Sequence, residues 1–509
     1  MMEPPRTVNR SDATDQGWTS RLVLATLFMA LVLEALGLSA SMIAIALPNV
    51  LKEFPTTQGG WLTTVYFLVG AIAAPLLGKA ADLYGKRRIL TIAIFISGVG
   101  ALVCALAPNF GVLIVGRTLQ GVILATLSLI PSLIRDSYPP KQAALGASIV
   151  VTGMGAFSVA APFVIGYLID HVGFRGLFGF DAAYSLLLCV GIRLTTQESR
   201  LRKEARPDVL GGLLLAGGIV ALLLYVSMGN SWGWTSGRGI GLIVASVVLL
   251  ALFFRRTLSA SEPIVKLSLF RRRQLVFVAG CGAIAYAVSA CTFQVIPLLA
   301  MTPRIAGQTY GLGLTTTQYA EIATPQAVVS VACGLLIGFL VSRGRNARLF
   351  FTLGLVAWAI GMPMLAFWND SFTEVVIGAM VVGAGGGLTV AAVPNLVMRA
   401  TPADDQGSTA GAVQLCQTGL SSILPVIMFS VFARHATVSS AGVLYHEDGF
   451  RTWMVVASAL VVVTLVIGST LLRERKGQTV EEFTIAERIP AMATVAAGDG
   501  GATAIAQEV

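Results

Sequence analysis

Charge is scarce in this 509-residue chain: Asp, Glu, Lys and Arg make up 12% of it, hydrophobic residues make up 55%, and the mean hydropathy is +0.79. A soluble domain carries about a quarter of its residues as charges. The shortage excludes a water-soluble fold and leaves an integral membrane protein. Histidine is scarcer still: His171, His435 and His446 stand without metal-ligand spacing. The six cysteines (Cys104, Cys189, Cys281, Cys291, Cys333 and Cys416) lie in apolar runs without a C-x-x-C pair, and read as packing residues. No nucleotide loop, nucleophile constellation or metal cluster occurs. That excludes ATP coupling and gives no basis for an enzyme, a cofactor or a bound metal.

What is present is a series of about fourteen apolar runs, each long enough to cross a bilayer core of about 30 Å as a helix. The first, 22–47, follows a flank of mixed charge, and Ala40 and Ala44 make no convincing cleavage site, so it reads as a retained span. Pro48 is expected to end it, and Trp61 to anchor the next span at the membrane interface. A net charge of +9 invites comparison with nucleic-acid binders, but the bases are sorted by side. With a cytoplasmic N-terminus, only Lys52, Arg175, Arg238, Arg304, Arg434 and Arg451 of the 35 Lys and Arg fall in outer loops, and Arg117 falls inside a run. The excess therefore reports orientation: both termini cytoplasmic, lipid bilayer as surroundings, no nucleic acid.

Several segments break the apolar pattern. Gly78 to Arg88, GKAADLYGKRR, joins two runs by a very short loop. Gly78 and Gly85 permit a tight turn, and Asp82 can accept bonds from the N–H groups opening the next helix. Lys79, Lys86, Arg87 and Arg88 either set topology alone or form part of a gate. Glu34 lies midway along the first run on a stripe with Gly37, Ser41 and Ala44; a carboxylate at that depth needs a partner, a water-filled cavity or a proton. In the fourth run, LIVGRTLQG puts Arg117, Gln120 and Gly121 on one face. A rise of about 1.5 Å per residue brings Glu34 and Arg117 to nearly the same level. They meet if the first and fourth helices face each other, as a proton site or as a static ion pair; the alternative is an Arg117 that caps carbonyls or reaches outward. The fifth run is crowded with small residues, Gly153 and Gly166 among them, around Pro162, as a bending contact between bundles requires.

These segments resemble the major facilitator superfamily. G-x-x-x-D-x-x-G-[RK]-[RK]-[RK] is similar to its gating loop between helices 2 and 3, and LIVGRTLQG to its helix 4 motif. EPIVKLSLFRRR is similar to a segment of the fourteen-helix drug:proton antiporter branch. FRGLF, from Phe174, resembles that branch's W-R-W-I-F, with Asp181 where it commonly has asparagine. Asp181 is functional, or partly exposed near the outer interface, or bonded to a neighbouring helix. Two departures stand out. Ala161-Pro162 and Ile165-Gly166 replace the GP and GG of the antiporter motif. Ser39 replaces the branch's helix 1 aspartate, so that either Glu34 takes over the acidic role or coupling differs. Gly338 to Arg348 repeats GKAADLYGKRR weakly, without the acid.

The resemblance implies an all-α membrane protein of the major facilitator fold, two six-helix bundles plus two linker helices, about 14 transmembrane helices in all. Its expected divisions are a cytoplasmic tail 1–21, a first bundle 22–194, basic connections with two extra transmembrane helices 195–274, a second bundle 275–472 and a disordered cytoplasmic tail 473–509. The implied function is secondary active transport, proton-coupled efflux of small apolar or cationic compounds across the cytoplasmic membrane. The alternatives are a uniporter or importer of a small metabolite and, more distantly, a transport-inactive receptor or scaffold. Partners are then a small-molecule substrate, protons and lipid. Glu34 and Arg117 are the expected coupling pair; Gly78, Asp82, Gly85, Lys86, Arg87 and Arg88 the gating loop; Ser41 and Gln120 cavity candidates; Gly153, Pro162 and Gly166 the hinge; Asp181 and Glu321 secondary candidates.

Overall fold

A chain crossing hydrocarbon has no water to satisfy its N–H and C=O groups, and a helix satisfies them internally. The computed structural model describes residues 18–199, 208–260, 273–304, 311–343, 345–400, 406–439 and 442–471. Among them are fourteen α-helices: α1 (Ser20–Glu53), α2 (Trp61–Tyr84), α3 (Lys86–Ala105), α4 (Phe110–Gln120), α5 (Thr126–Ser137), α6 (Pro140–Thr195), α7 (Val209–Trp232), α8 (Gly237–Ser259), α9 (Arg273–Met301), α10 (Thr316–Ser342), α11 (Ala347–Phe367), α12 (Phe372–Ala400), α13 (Gln406–Ala433) and α14 (Glu447–Leu471). A two-stranded antiparallel ribbon, β1 (Ala436–Ser439) and β2 (Gly442–Tyr445), joins α13 to α14. The C-terminal tail expected from 473, and EPIVKLSLFRR within 262–272, lie outside the described residues.

Two elements depart from one helix per crossing. A 3-10 segment, Gly121–Ala125, links α4 to α5 within a single span. The 56 residues of α6 are too many for one crossing, and Gly173 divides them with φ 73°, a backbone setting that favours glycine. Thirteen helical segments are long and apolar enough to cross a membrane, and the division of α6 adds another. Pro48 does not end α1 as expected. The helix continues to Glu53 because Val50 and Leu51 beyond the proline are buried in the core. Trp61 opens α2, and its indole N–H donates to Ser227 Oγ of α7 at 3.0 Å, tying α2 to the extra helix pair.

Helices α1 to α6 pack together, as do α9 to α14; α7 and α8 pair with each other, and α7 leans on α2 and α13. Glycines set the closest crossings. A Cβ at Gly100 of α3 would lie 2.6 Å from the Gly116 carbonyl oxygen of α4. In the second half, a Cβ at Gly385 of α12 would lie 2.9 Å from the Gly354 carbonyl oxygen of α11, and one at Gly383 2.5 Å from the Gln326 carbonyl oxygen of α10. The buried Trp358 of α11 fills the space beside that crossing, its indole N–H donating to Val382 O at 2.9 Å.

The two halves meet on the face away from the Gly78–Arg88 loop. Thr63 Oγ1 donates to Gln294 Oε1 at 3.0 Å, and Thr64 Oγ1 to Ser422 O at 2.6 Å. Asp170 of α6 accepts from the backbone N–H groups of Thr316 and Thr317 at 3.2 and 2.8 Å, so a carboxylate sits on the positive end of α10. Asn49 Nδ2 donates to Thr316 Oγ1 at 3.2 Å beside it. On the loop face, Cβ atoms built at Gly78, Gly280 and Gly338 would meet nothing within 4 Å. Among the described residues, these bonds join the halves on the face away from the loop.

Candidate functional site

Gly116 and Gly121 allow a charged side chain to be placed inside the first bundle. A Cβ at Gly116 would lie 2.5 Å from Cys104 Sγ of α3, and one at Gly121 would collide with the Tyr66 carbonyl of α2. Packed this closely, α4 turns Arg117 inward, where it is fully buried. Its Nε donates to Leu62 O at 3.3 Å, and its Nη1 to Ser39 O at 3.1 Å and to Gln120 Oε1 at 2.8 Å. The Tyr66 ring lies 4.5 Å from the guanidinium carbon, a cation–π contact. Gln120 Nε2 then donates to Asp181 Oδ2 of α6 at 2.8 Å. A guanidinium only donates and an ionised carboxylate only accepts, so the Gln120 amide has one orientation that serves both. Arg117 Nη2 and Asp181 Oδ1 are left buried without a hydrogen-bond partner.

This arrangement corrects two expectations and decides between alternatives for a third. Arg117 is not bonded to Glu34: the α1 group it meets is Ser39, and Glu34 is partly exposed on another side of that helix. Asp181 is not exposed near an interface. It is 1% exposed and bonded to the neighbouring helix, one of the alternatives the sequence left open. Gln120 does not line an open cavity, being fully buried between its two partners. Ser41 is half-buried and donates to Gly37 O at 2.9 Å, and Glu321 is exposed on α10, apart from the relay. Pro162 lies inside α6, and Gly166 packs against the start of α10, where a Cβ would lie 2.8 Å from Thr316 O. Gly153 falls within α6, but its surroundings lie outside what is described.

The Gly78–Arg88 loop is bolted to its own bundle by residues that sequence reasoning missed. Gly85 closes α2 with φ 110°, and Lys86 turns inward to meet Asp136 Oδ2 of α5 at 2.5 Å and Asp82 at 3.7 Å. Ser199 Oγ donates to the same Asp136 oxygen at 2.9 Å. Glu198 accepts from the backbone N–H groups of Arg87 and Arg88 at 2.9 and 3.1 Å, capping α3 with charge, and Arg87 Nη1 donates to Thr196 O at 3.1 Å. The available signal was charge pattern: Asp136 and Glu198 are acids at the ends of runs otherwise flanked by bases.

A multi-pass helical membrane protein in two bundles, with one buried charged relay, has the architecture of a transporter. The chain belongs to the Major Facilitator Superfamily, whose family model matches residues 27–425. It is 28% identical over 422 residues to multidrug resistance protein Stp of Mycobacterium tuberculosis, covering 80% of this chain and 76% of that one. It is 27% identical over 401 residues to a probable actinorhodin transporter of Streptomyces coelicolor, covering 74% and 67%. Multidrug resistance protein 3 of Bacillus subtilis is 24% identical over 385 residues, covering 75% and 73%. In fold it is similar to a bacterial homologue of the human lysosomal transporter Spinster in an inward-facing, unoccupied conformation, with a TM-score of 0.63, 15% identity, and coverage of 91% of this chain and 100% of that one.

Proposed function

We propose that this protein is a proton-coupled exporter of small apolar or cationic compounds, with its basic face and both termini in the cytoplasm, and that Asp181 carries the coupling proton. The observation that carries this reading is the Arg117, Gln120, Asp181 relay. A carboxyl group among membrane helices is costly and ordinarily serves a task, and here one amide separates it from a cation. Burial opposes charge on a carboxyl and a cation favours it, so a small shift of α4 against α6 decides which form prevails. The relatives' names, multidrug resistance proteins and a probable actinorhodin transporter, support export, and the sorting of bases supports the orientation.

In this reading residues 22–194 and 275–472 rock against each other around the closed contacts, with 195–274 as a two-helix linker. The present arrangement is the one that loads from the cytoplasm. The Gly78–Arg88 loop is the gate: Asp82 gives up its 3.7 Å pairing with Lys86 for a bond across the bundles when the basic face closes. Glu34 is the second candidate carrier, favoured by its partly exposed place on α1 beside Gly37 and Ser41.

The test uses purified protein in lipid vesicles with ethidium as probe. Asp181→Asn abolishes accumulation driven by a pH gradient while ethidium counterflow continues, and Glu34→Gln keeps both. The reverse pattern transfers the proton to Glu34. Undiminished gradient-driven accumulation in both variants refutes proton coupling through either carboxyl. Flux indifferent to the gradient in the parent protein points to a uniporter, and no flux to a scaffold.

A further inference from the structure

The relay has a continuation at Asp181. Its Oδ1 atom is buried without a partner, and so are two hydroxyls nearby, Ser185 Oγ one turn along α6 and Ser97 Oγ on α3. Both serines are fully buried. The two helices touch at this level, where a Cβ at Gly98, next to Ser97, would lie 2.9 Å from Ser185 Cβ. Ser97 also shares the buried face of α3 with Gly100 and Cys104, which pack on Gly116 and Gln120 of α4. A serine or threonine inside a helix commonly bonds the carbonyl four residues back, as Ser41 and Thr91 do here. Ser97 and Ser185 do not. Polar atoms grouped in this way, away from bulk solvent, are the setting of ordered water. Beyond Ser185 the seam leads to Cys189, whose Sγ donates to Thr91 O at 3.6 Å, and then to Arg87, Thr196 and Glu198 on the basic face.

We propose that the seam between α3 and α6 binds water bridging Asp181 Oδ1 to Ser185 and Ser97, and that the coupling proton leaves Asp181 along this seam instead of through the space between the bundles. The inference rests on the reading of Asp181 as the carrier. In the transfer the O–H bond at Oδ1 breaks, its proton passes to the bridging water, and that water hands one of its own protons onward toward the basic face. The carboxylate left behind keeps the Gln120 amide hydrogen and the nearby Arg117 charge. No electron is transferred, and one positive charge reaches the aqueous side. Substrate and proton then leave by separate routes.

The test compares the parent protein with Ser97→Ala, Ser185→Ala and the double variant in vesicles, again with ethidium. The double variant is expected to lose about tenfold in the pH-gradient-driven rate, a barrier increase of about 1.4 kcal/mol, while ethidium counterflow stays within about twofold. An unchanged gradient-driven rate overturns the proposal. So does a double variant more heat-stable than the parent, the result expected where dry, unbonded hydroxyls are removed. Should the variants not fold, X-ray radiolysis of the parent protein in isotopically labelled water decides: bound water oxidises its neighbours, so labelling of Cys189 or Ile94 supports the seam, and an unlabelled seam beside a labelled central space overturns it. Loss of coupling in Asp181→Asn with none in the serine variants removes the seam alone, whereas full coupling in Asp181→Asn removes the carrier itself.

Discussion

Gln120 stands between Arg117 and Asp181, accepting a hydrogen bond from the first at 2.8 Å and donating one to the second at 2.8 Å. An amide does not titrate in the physiological range, so the cation and the carboxyl influence each other without closing into a salt bridge. A direct pair at this depth, once formed, costs much to separate. The interposed amide leaves α4 and α6 coupled and still able to shift.

Replacing the amide tests that arrangement. Gln120→Glu puts a carboxylate directly on Arg117; the variant is expected to be at least as heat-stable as the parent and to lose tenfold or more in gradient-driven transport, roughly the change produced by locking one side of a two-state balance. Gln120→Leu takes one acceptor from Arg117, which keeps the Leu62 and Ser39 carbonyls, and the donor from Asp181, and is expected to cost about 1–3 kcal/mol. Fluorescence-detected size exclusion after heating reads the stability, and vesicle uptake the transport.

Two glycines should respond oppositely. Gly116→Ala drives a methyl group into Cys104 and the Gly100 carbonyl and is expected to destabilise the first bundle by about 1–3 kcal/mol. Gly78→Ala meets open space and should shift stability by less than about 0.5 kcal/mol. If Gly78→Ala nevertheless slows transport, the loop packs tightly only when the basic face is closed, as a gate requires. Paired melting and uptake curves separate the two effects.

Asp170 holds the opposite face shut through two backbone bonds at the start of α10. A hydrogen bond to a charged group is worth about 1.5–3 kcal/mol, enough to move a two-state balance by tenfold or more. Asp170→Asn is therefore expected to populate the arrangement open on that face. Spin labels at Tyr167 and Gln318 should show a longer distance in the variant; an unaltered distribution means that the carboxylate contributes nothing to closure.

Within the loop cluster the proposed gate residue, Asp82, is not the one that ties the loop to its bundle, Lys86. Lys86→Met removes the nearer of the two cations at the Asp136 side chain, leaving Arg135 at 3.6 Å and the Ser199 hydroxyl, and is expected to cost about 1.5–3 kcal/mol, the worth of a charge-assisted hydrogen bond. Asp82 is 36% exposed and 3.7 Å from Lys86, so Asp82→Asn should cost under about 1 kcal/mol and yet slow transport. Equal stability losses in both variants would assign Asp82 to packing.

The crossings of the membrane were legible because each needs an apolar run of fixed length, and Gly173 lies between two such runs. Arg117 and Gln120 were legible as one helix face for the same geometric reason. Their partners were not. Counting residues from a helix end gives depth but not direction, and Glu34 and Ser39, five residues apart, point about 140° away from each other around α1. Depth alone matched Glu34 to Arg117, whereas direction gives that place to Ser39. For Asp181 the sequence left a functional role, a place near the outer interface and a bond to a neighbouring helix open. The close approach that buries it depends on Gly98, Gly100 and Gly116, whose missing side chains leave no pattern in an apolar run. Asp136 and Glu198 are brought to the loop by the ends of α5 and α6, a relation across more than a hundred residues for Glu198 that spacing does not carry.

The glycine crossing of α3 with α4 has a counterpart between α11 and α12, but there the neighbouring space holds Trp358 and no charge. On the reading proposed above, the proton-carrying relay belongs to the first half of the chain, and the halves become separable as engineering units. A chimaera that takes α9 to α14 from a relative should keep its proton stoichiometry and change its spectrum of exported compounds. The graft has only to preserve a short list of seam partners: Gln294 for Thr63, the Ser422 carbonyl for Thr64, and the opening N–H groups of α10 for Asp170.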